Sequence, residues 1–173
     1  MAVPTDRRIL LTENDPNRVI IGVGEVACAH HPQVLVTQAL GSCVGVTLWD
    51  PRTQIAGMAH VMLPESTNST AQGRATRFAD VAIPALVQQM ADLGAPKRRL
   101  IAKMAGGSAM FNSDSQMESI GSRNAAAVLE QLEVQGILVQ ASDCGGSHAR
   151  TIELRLDSGV LVIRSYVYGI REI

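Results

Sequence analysis

The chain has 173 residues, enough to bury one sizeable core and short for two domains. With 46% hydrophobic and 18% charged residues it has the composition of a folded globular protein, and a net charge of −1 excludes a global pull toward nucleic acid or an anionic membrane. Three cysteines with no CxxC spacing argue against a disulfide scaffold and for reduced thiols. No apolar run approaches the length of a bilayer span, and residues 1–17 carry no apolar leader, so the expectation is a cytoplasmic protein without membrane insertion.

In chain order, residues 1–17 are mostly polar and read as a flexible N-terminal arm, which leaves 18–173 as a single domain. Residues 18–23 and 33–38 are short β-branched runs. Residues 39–50 and 54–64 are apolar and β-rich, and Asp50-Pro51-Arg52-Thr53 between them suits a tight turn. A polar loop follows at 64–77. From 78 to 93 the period becomes helical, with Ile83, Leu86, Val87, Met90 and Leu93 on one stripe. Pro84 places itself either in the first turn of that helix or at a kink. Gly94-Ala95-Pro96 ends the element, and Lys97-Arg98-Arg99 reads as a solvated loop rather than a nucleic-acid patch. A strand over 99–104 leads to a turn at 105–108. A second helix over 122–135 turns Ala125, Val128, Leu129 and Leu132 inward and stops at Gly136. A strand over 137–141 and a glycine-rich loop over 143–148 precede a hairpin, in which Ile152, Leu154 and Leu156 alternate with polar residues before the turn at Asp157-Ser158-Gly159. The pattern predicts an α+β fold: a mixed, largely antiparallel sheet or sheets covered by two main helices.

The chemistry concentrates in the first hairpin. If Trp49 pairs with Gln54, Cys43 falls directly opposite His60 on the same face, with Cβ atoms about 4.5–5.5 Å apart. A thiol and an imidazole at that separation can exchange a proton, and a neighbouring histidine is a common way to make a nucleophilic thiolate near neutral pH. A slip of one residue puts the two on opposite faces. Pattern alone also allows Cys43 to be a small buried hydrophobe and His60 a satisfied core residue. Other signals are weaker. Gly22-Val23-Gly24-Glu25 lacks the third glycine and the helix of a dinucleotide loop. Gly106-Gly107 and Gly145-Gly146 have no following Lys-Ser/Thr and read as turns. Cys28 with His30-His31, and Cys144 with His148, fall short of metal-site spacing.

The string from Val36-Thr37 through Gly41-Ser42-Cys43 to Ala59-His60-Val61-Met62-Leu63-Pro64 resembles the CheD family of chemoreceptor glutamine deamidases. Further blocks agree in order: Gly22-Val23-Gly24-Glu25, Phe78-Ala79-Asp80, Ala105-Gly106-Gly107-Ser108-Ala109-Met110-Phe111, Ile120-Gly121-Ser122-Arg123-Asn124 and Asp143-Cys144-Gly145-Gly146-Ser147-His148-Ala149-Arg150. The resemblance runs from about residue 19 to the end. It implies a layered α/β sandwich similar to the catalytic domain of the cytotoxic necrotizing factor toxins. It implies Cys43 as nucleophile, His60 as base and Thr37 as the residue that orients the imidazole. The backbone N–H groups of Ser42 and Cys43 are the candidates for holding the oxyanion. The implied reaction is hydrolysis of protein glutamine side chains to glutamate on the cytoplasmic helices of methyl-accepting chemoreceptors, with no metal or cofactor. A CheC-type phosphatase is an implied second partner. Two other classes share this signature: a non-catalytic regulator of chemoreceptors or of that phosphatase, and another Cys/His acyl transferase such as a peptidase or transglutaminase.

Overall fold

In the computed structural model the described residues are 15–67, 72–110 and 118–173. The arm expected at 1–17 falls mostly on 1–14, outside the described residues, as do 68–71 of the expected polar loop and Phe111 of the glycine-rich motif. The strands are β1 (Arg18–Ile20), β2 (Val26–His30), β3 (Val34–Leu40), β4 (Val44–Asp50), β5 (Ile55–Val61), β6 (Ile101–Gly106), β7 (Leu138–Cys144), β8 (Arg150–Arg155), β9 (Leu161–Ser165) and β10 (Gly169–Glu172). The helices are α1 (Ala79–Asp92) and α2 (Ile120–Val134). The strands form two five-stranded sheets, one in the order β1-β3-β8-β9-β10 and one in the order β2-β5-β4-β6-β7. Each sheet is antiparallel except for one parallel pair, β1 with β3 and β6 with β7. The α+β class with two main helices is therefore what the chain forms.

Strand alternation explains the layering. Val44, Val46 and Leu48 of β4 and Ala59 and Val61 of β5 pack with α1 and α2 in one core. The intervening Ala56 and Met58 of β5 pack with Leu35, Ile152, Leu154 and Ile163 of the other sheet in a second core. The β4–β5 hairpin is thus apolar on both faces because it is the middle layer, between a sheet and a pair of helices. No helix among the described residues is long and apolar enough to cross a membrane.

The helices refine the sequence reading. In α1 the buried residues Ala79, Ala82, Ile83, Leu86, Val87 and Met90 recur at three- and four-residue spacing, whereas Leu93 is exposed at the C-cap. The helix runs through Pro84, which is its sixth residue, so the first-turn placement does not apply. In α2 the buried stripe is Gly121, Asn124, Val128 and Leu132, and Leu129 is exposed, contrary to expectation. The stripe is rotated so that a polar side chain, Asn124, takes a core position. Residues 97–99 form a 3-10 turn, which delays the next strand to Ile101. Arg99 is not simply solvated: its guanidinium grips the Asp50 carboxylate at the hairpin turn. Strands β2 and β10 have no counterpart in the sequence reading.

Candidate active site

The hairpin register differs from the expected one by two residues. Val44 pairs with Val61, Gly45 with His60 and Asp50 with Ile55. The residue opposite His60 is therefore Gly45, not Cys43. Asp50 stays in the ladder and starts the turn one residue later than expected: its carboxylate accepts from the Arg52 amide and the Thr53 hydroxyl, and its carbonyl accepts from the Gln54 amide. Gln54 closes the loop with a left-handed φ of 54°. A shift of two keeps every side chain on its face. Cys43 therefore remains on the His60 side of the hairpin, diagonal to it, and packs against the inter-sheet core while Val44 turns to the helices. A Cβ at Gly45 would stand 2.5 Å from Ile152 Cδ1 and 3.2 Å from Thr37 Cγ2, so glycine here lets the second sheet close over the histidine.

Thr37 belongs to that second sheet, on β3, and is fully buried. The bulge between Thr37 and Leu40, with Ala39 at a left-handed φ of 57°, turns both of those residues inward although they are three apart. Across the gap between the sheets, Thr37 Oγ1 lies 2.7 Å from His60 Nδ1. The same hydroxyl donates to the Ile21 carbonyl at 2.7 Å. A hydroxyl has one proton, and a carbonyl can only accept. With that proton on Ile21, the contact to the ring must be a bond donated by Nδ1–H. The imidazole is held as the Nδ1–H tautomer, and its lone pair sits on Nε2. Nε2 is buried and has no hydrogen-bond partner among the described residues.

Burial pushes the Cys43 thiol above its ordinary pKa and the His60 imidazole below its own. Both shifts favour the neutral thiol–imidazole pair over the thiolate–imidazolium pair at rest. The other two thiols are also raised by burial, Cys28 to about 11. What separates Cys43 from them is the basic nitrogen on its face, not a lower pKa. The structure leaves His30 and His31 exposed on the β2 edge, and the His148 ring lies 4.8 Å from that of Tyr168.

Residues 41–43 form a bend whose three carbonyls are all tied. The Gly41 carbonyl accepts from the Ser108 amide at 2.8 Å and the Cys43 carbonyl from the Gly107 amide at 2.8 Å. The Ser42 carbonyl accepts from Asn124 Nδ2 at 2.9 Å, and the same nitrogen donates to the Met62 carbonyl at 2.9 Å. The end of β6 comes so close that a Cβ at Gly106, whose φ is 114°, would lie 2.2 Å from the Cys43 oxygen. The amides of Ser42 and Cys43 donate to no partner among the described residues. The structure thus joins Thr37 to His60 and sets Cys43, in a bend whose Ser42 and Cys43 amides have no partner among the described residues, on the same face of the hairpin as His60. Ile21, Gly45, Ser108 and Asn124 went unread as parts of this site, since they act through a backbone carbonyl, a missing side chain, a backbone amide and a polar break in a helical stripe.

A family model described as CheD chemotactic sensory transduction matches residues 62–165. A protein of Haloarcula marismortui named probable chemoreceptor glutamine deamidase CheD is 40% identical over 153 residues, 88% of each chain. One of Clostridium novyi with the same name is 42% identical over 159 residues, 91% of this chain and 98% of its own. The chemoreceptor glutamine deamidase CheD of Thermotoga maritima is 43% identical over 145 residues, 84% of this chain and 90% of its own. With matches of this extent and identity, the chain belongs to the CheD family.

Proposed function

We propose that this protein is a chemoreceptor glutamine deamidase that hydrolyses protein glutamine side chains to glutamate, with Cys43 as nucleophile, His60 as general base and acid, and Thr37 as the group that orients His60. The observation that carries the reading is the unshared Nε2 lone pair on the Cys43 side of the hairpin, fixed there by the bond from Nδ1–H to Thr37. The names of the relatives supply the substrate.

The reaction divides into two acyl transfers. His60 Nε2 takes the thiol proton as sulfur attacks the amide carbon, so no standing thiolate is needed. The Ser42 and Cys43 amides, which have no other partner among the described residues, are the donors for the developing oxyanion. Protonated His60 then gives its proton to the departing ammonia, leaving a Cys43 thioester. Water, deprotonated by His60, hydrolyses that thioester to glutamate and restores the thiol. Thr37 is a neutral orienter and stabilises the imidazolium less than a carboxylate would, in keeping with proton transfer at the moment of attack. These steps call for no metal or cofactor. Each event places a negative charge on a receptor helix, and that charge alters helix packing in the signalling region, which is how the reaction tunes chemotaxis. The protein works in the cytoplasm, where receptor signalling helices are reached.

The test is intact-peptide mass spectrometry on chemoreceptor cytoplasmic fragments incubated with wild type or Cys43→Ala. The expected result is the small mass gain of NH2-to-OH exchange at particular glutamines with wild type and none with the variant. Fragment cleavage would indicate a peptidase, and joining to an amine a transglutaminase. Binding to receptor or to a CheC-type phosphatase without any mass gain would replace this reading with the regulatory one.

A further inference from the structure

Three successive peptide groups flank Cys43, two leading into it and one leading out, and each has its carbonyl held. A trans peptide points its C=O and its N–H in opposite directions. The bond from the Ser108 amide to the Gly41 carbonyl therefore turns the Ser42 N–H away from the β6 end. The bond from Asn124 Nδ2 to the Ser42 carbonyl likewise turns the Cys43 N–H away from α2. These two bonds aim the Ser42 and Cys43 amides, which donate to nothing among the described residues.

Asn124 is the side chain in this arrangement, and its chemistry is specific. It is fully buried in the apolar stripe of α2, at a position where the packing pattern calls for a hydrophobic residue. Both of its amide hydrogens are used, one on Ser42 and one on Met62, the residue that follows β5 by one position. Its orientation is forced, because the flipped amide would set Oδ1 against two carbonyl oxygens. The consequence is that Oδ1 is buried with no partner among the described residues. A buried amide with an unmet acceptor and two well-made donor bonds is a residue held for what it donates.

We propose that Asn124 is a positioning residue of the deamidation: by holding the Ser42 carbonyl it aims the Cys43 N–H at the oxygen of the glutamine amide under attack. The inference rests on the deamidase reading. Asn124 touches no reacting atom and acts through one peptide plane.

The experiment compares two reactions of Cys43 in the full chain. Deamidation of a chemoreceptor fragment passes through a tetrahedral oxyanion. Alkylation by iodoacetamide forms an S–C bond, expels iodide and makes no oxyanion, so it reports the thiol and His60 alone. Wild type is measured first; if it deamidates no receptor glutamine, the deamidase reading fails before Asn124 is in question. With active wild type, Asn124→Ala is expected to lower kcat by about 10-fold or more with KM changed less than about twofold. Alkylation of Cys43, followed by mass mapping because the chain has three cysteines, is expected to stay within about twofold of wild type. Asn124→Ser, a smaller side chain that keeps one donor, is read in the same way and is expected to lose less. A kcat that does not change, or a kcat and an alkylation rate that fall together, overturns the proposal. Failure of both variants to fold, seen by circular dichroism, also overturns it and leaves Asn124 as a structural tie.

Discussion

The two ends of the β4–β5 hairpin are built from the same pair of strands and treat their polar groups in opposite ways. At the turn end, Asp50 is fully enclosed, and its carboxylate accepts from the Arg52 amide, the Thr53 hydroxyl and Arg99 Nε. Burial pushes its pKa up, but the hydrogen bonds from Arg99, Arg52 and Thr53 outweigh burial and hold the carboxyl below its ordinary range. At the open end, His60 Nε2 and the amides of Ser42 and Cys43 have no hydrogen-bond partner among the described residues. Non-glycine residues in the left-handed region stand near both ends, Gln54 at the turn and Ala39 before Cys43, so local strain does not distinguish them. The difference lies in satisfaction. The closed end has its hydrogen-bonding capacity used, which stabilises the fold. The open end keeps capacity unused, at a cost in stability that a reacting group is available to offset.

That contrast can be broken by substitution at either end. The largest effect is expected at His60: His60→Gln keeps a polar side chain but supplies no base, and kcat for deamidation should fall by about 10³-fold. A loss below tenfold would remove His60 as the base. At the closed end, Asp50→Ala should lower the free energy of unfolding by about 2 kcal/mol, a value discounted because Arg99 reaches solvent. Urea titration measures it, and kcat of the folded fraction should match wild type. A drop in kcat without a drop in stability would mean that the two ends are not separable.

Thr37 probes the join between the sheets. Thr37→Val keeps the shape but removes the acceptor for Nδ1–H and the donor to Ile21. It should lower kcat by about 10- to 100-fold and cost about 2 kcal/mol of stability, whereas Thr37→Ser should restore most of both. Equal loss in the serine variant would point to packing of the threonine methyl instead.

The smallest effect is on pH dependence, and its sign follows from the two burial shifts. His60 must be neutral to act as base, and its pKa lies below the ordinary value of about 6.5. The profile of kcat/KM should therefore be flat through neutrality and fall in acid along a limb with its midpoint below about 6.5. The raised thiol adds no ionisation near neutral pH. An alkaline limb near neutrality would instead report loss of an imidazolium and a resting ion pair. Stability follows the same group. A histidine with a depressed folded pKa contributes fully above its unfolded value, and that contribution is lost as pH falls from about 6.5 through the folded pKa.

Strand alternation alone places Cys43 and His60 on one face. Alternation along a strand depends only on parity, so a register wrong by two residues still kept the pair together. The sequence also determined the helical stripe of α1, because Ile83, Leu86, Val87 and Met90 repeat with the helix period and face one core. It did not reveal the turn of α2 that buries Asn124 and exposes Leu129, since a hydrophobic count takes leucine over asparagine. The tautomer of His60, by contrast, is set by long-range packing. That choice depends on Ile21, Thr37 and His60 meeting across two sheets, where one hydroxyl proton can serve only one acceptor. Long-range packing also sets which backbone carbonyls near Cys43 are held and which amides have no partner among the described residues. Local pattern carries periodicity; the placement of a lone pair or of a peptide plane depends on partners far away in the chain.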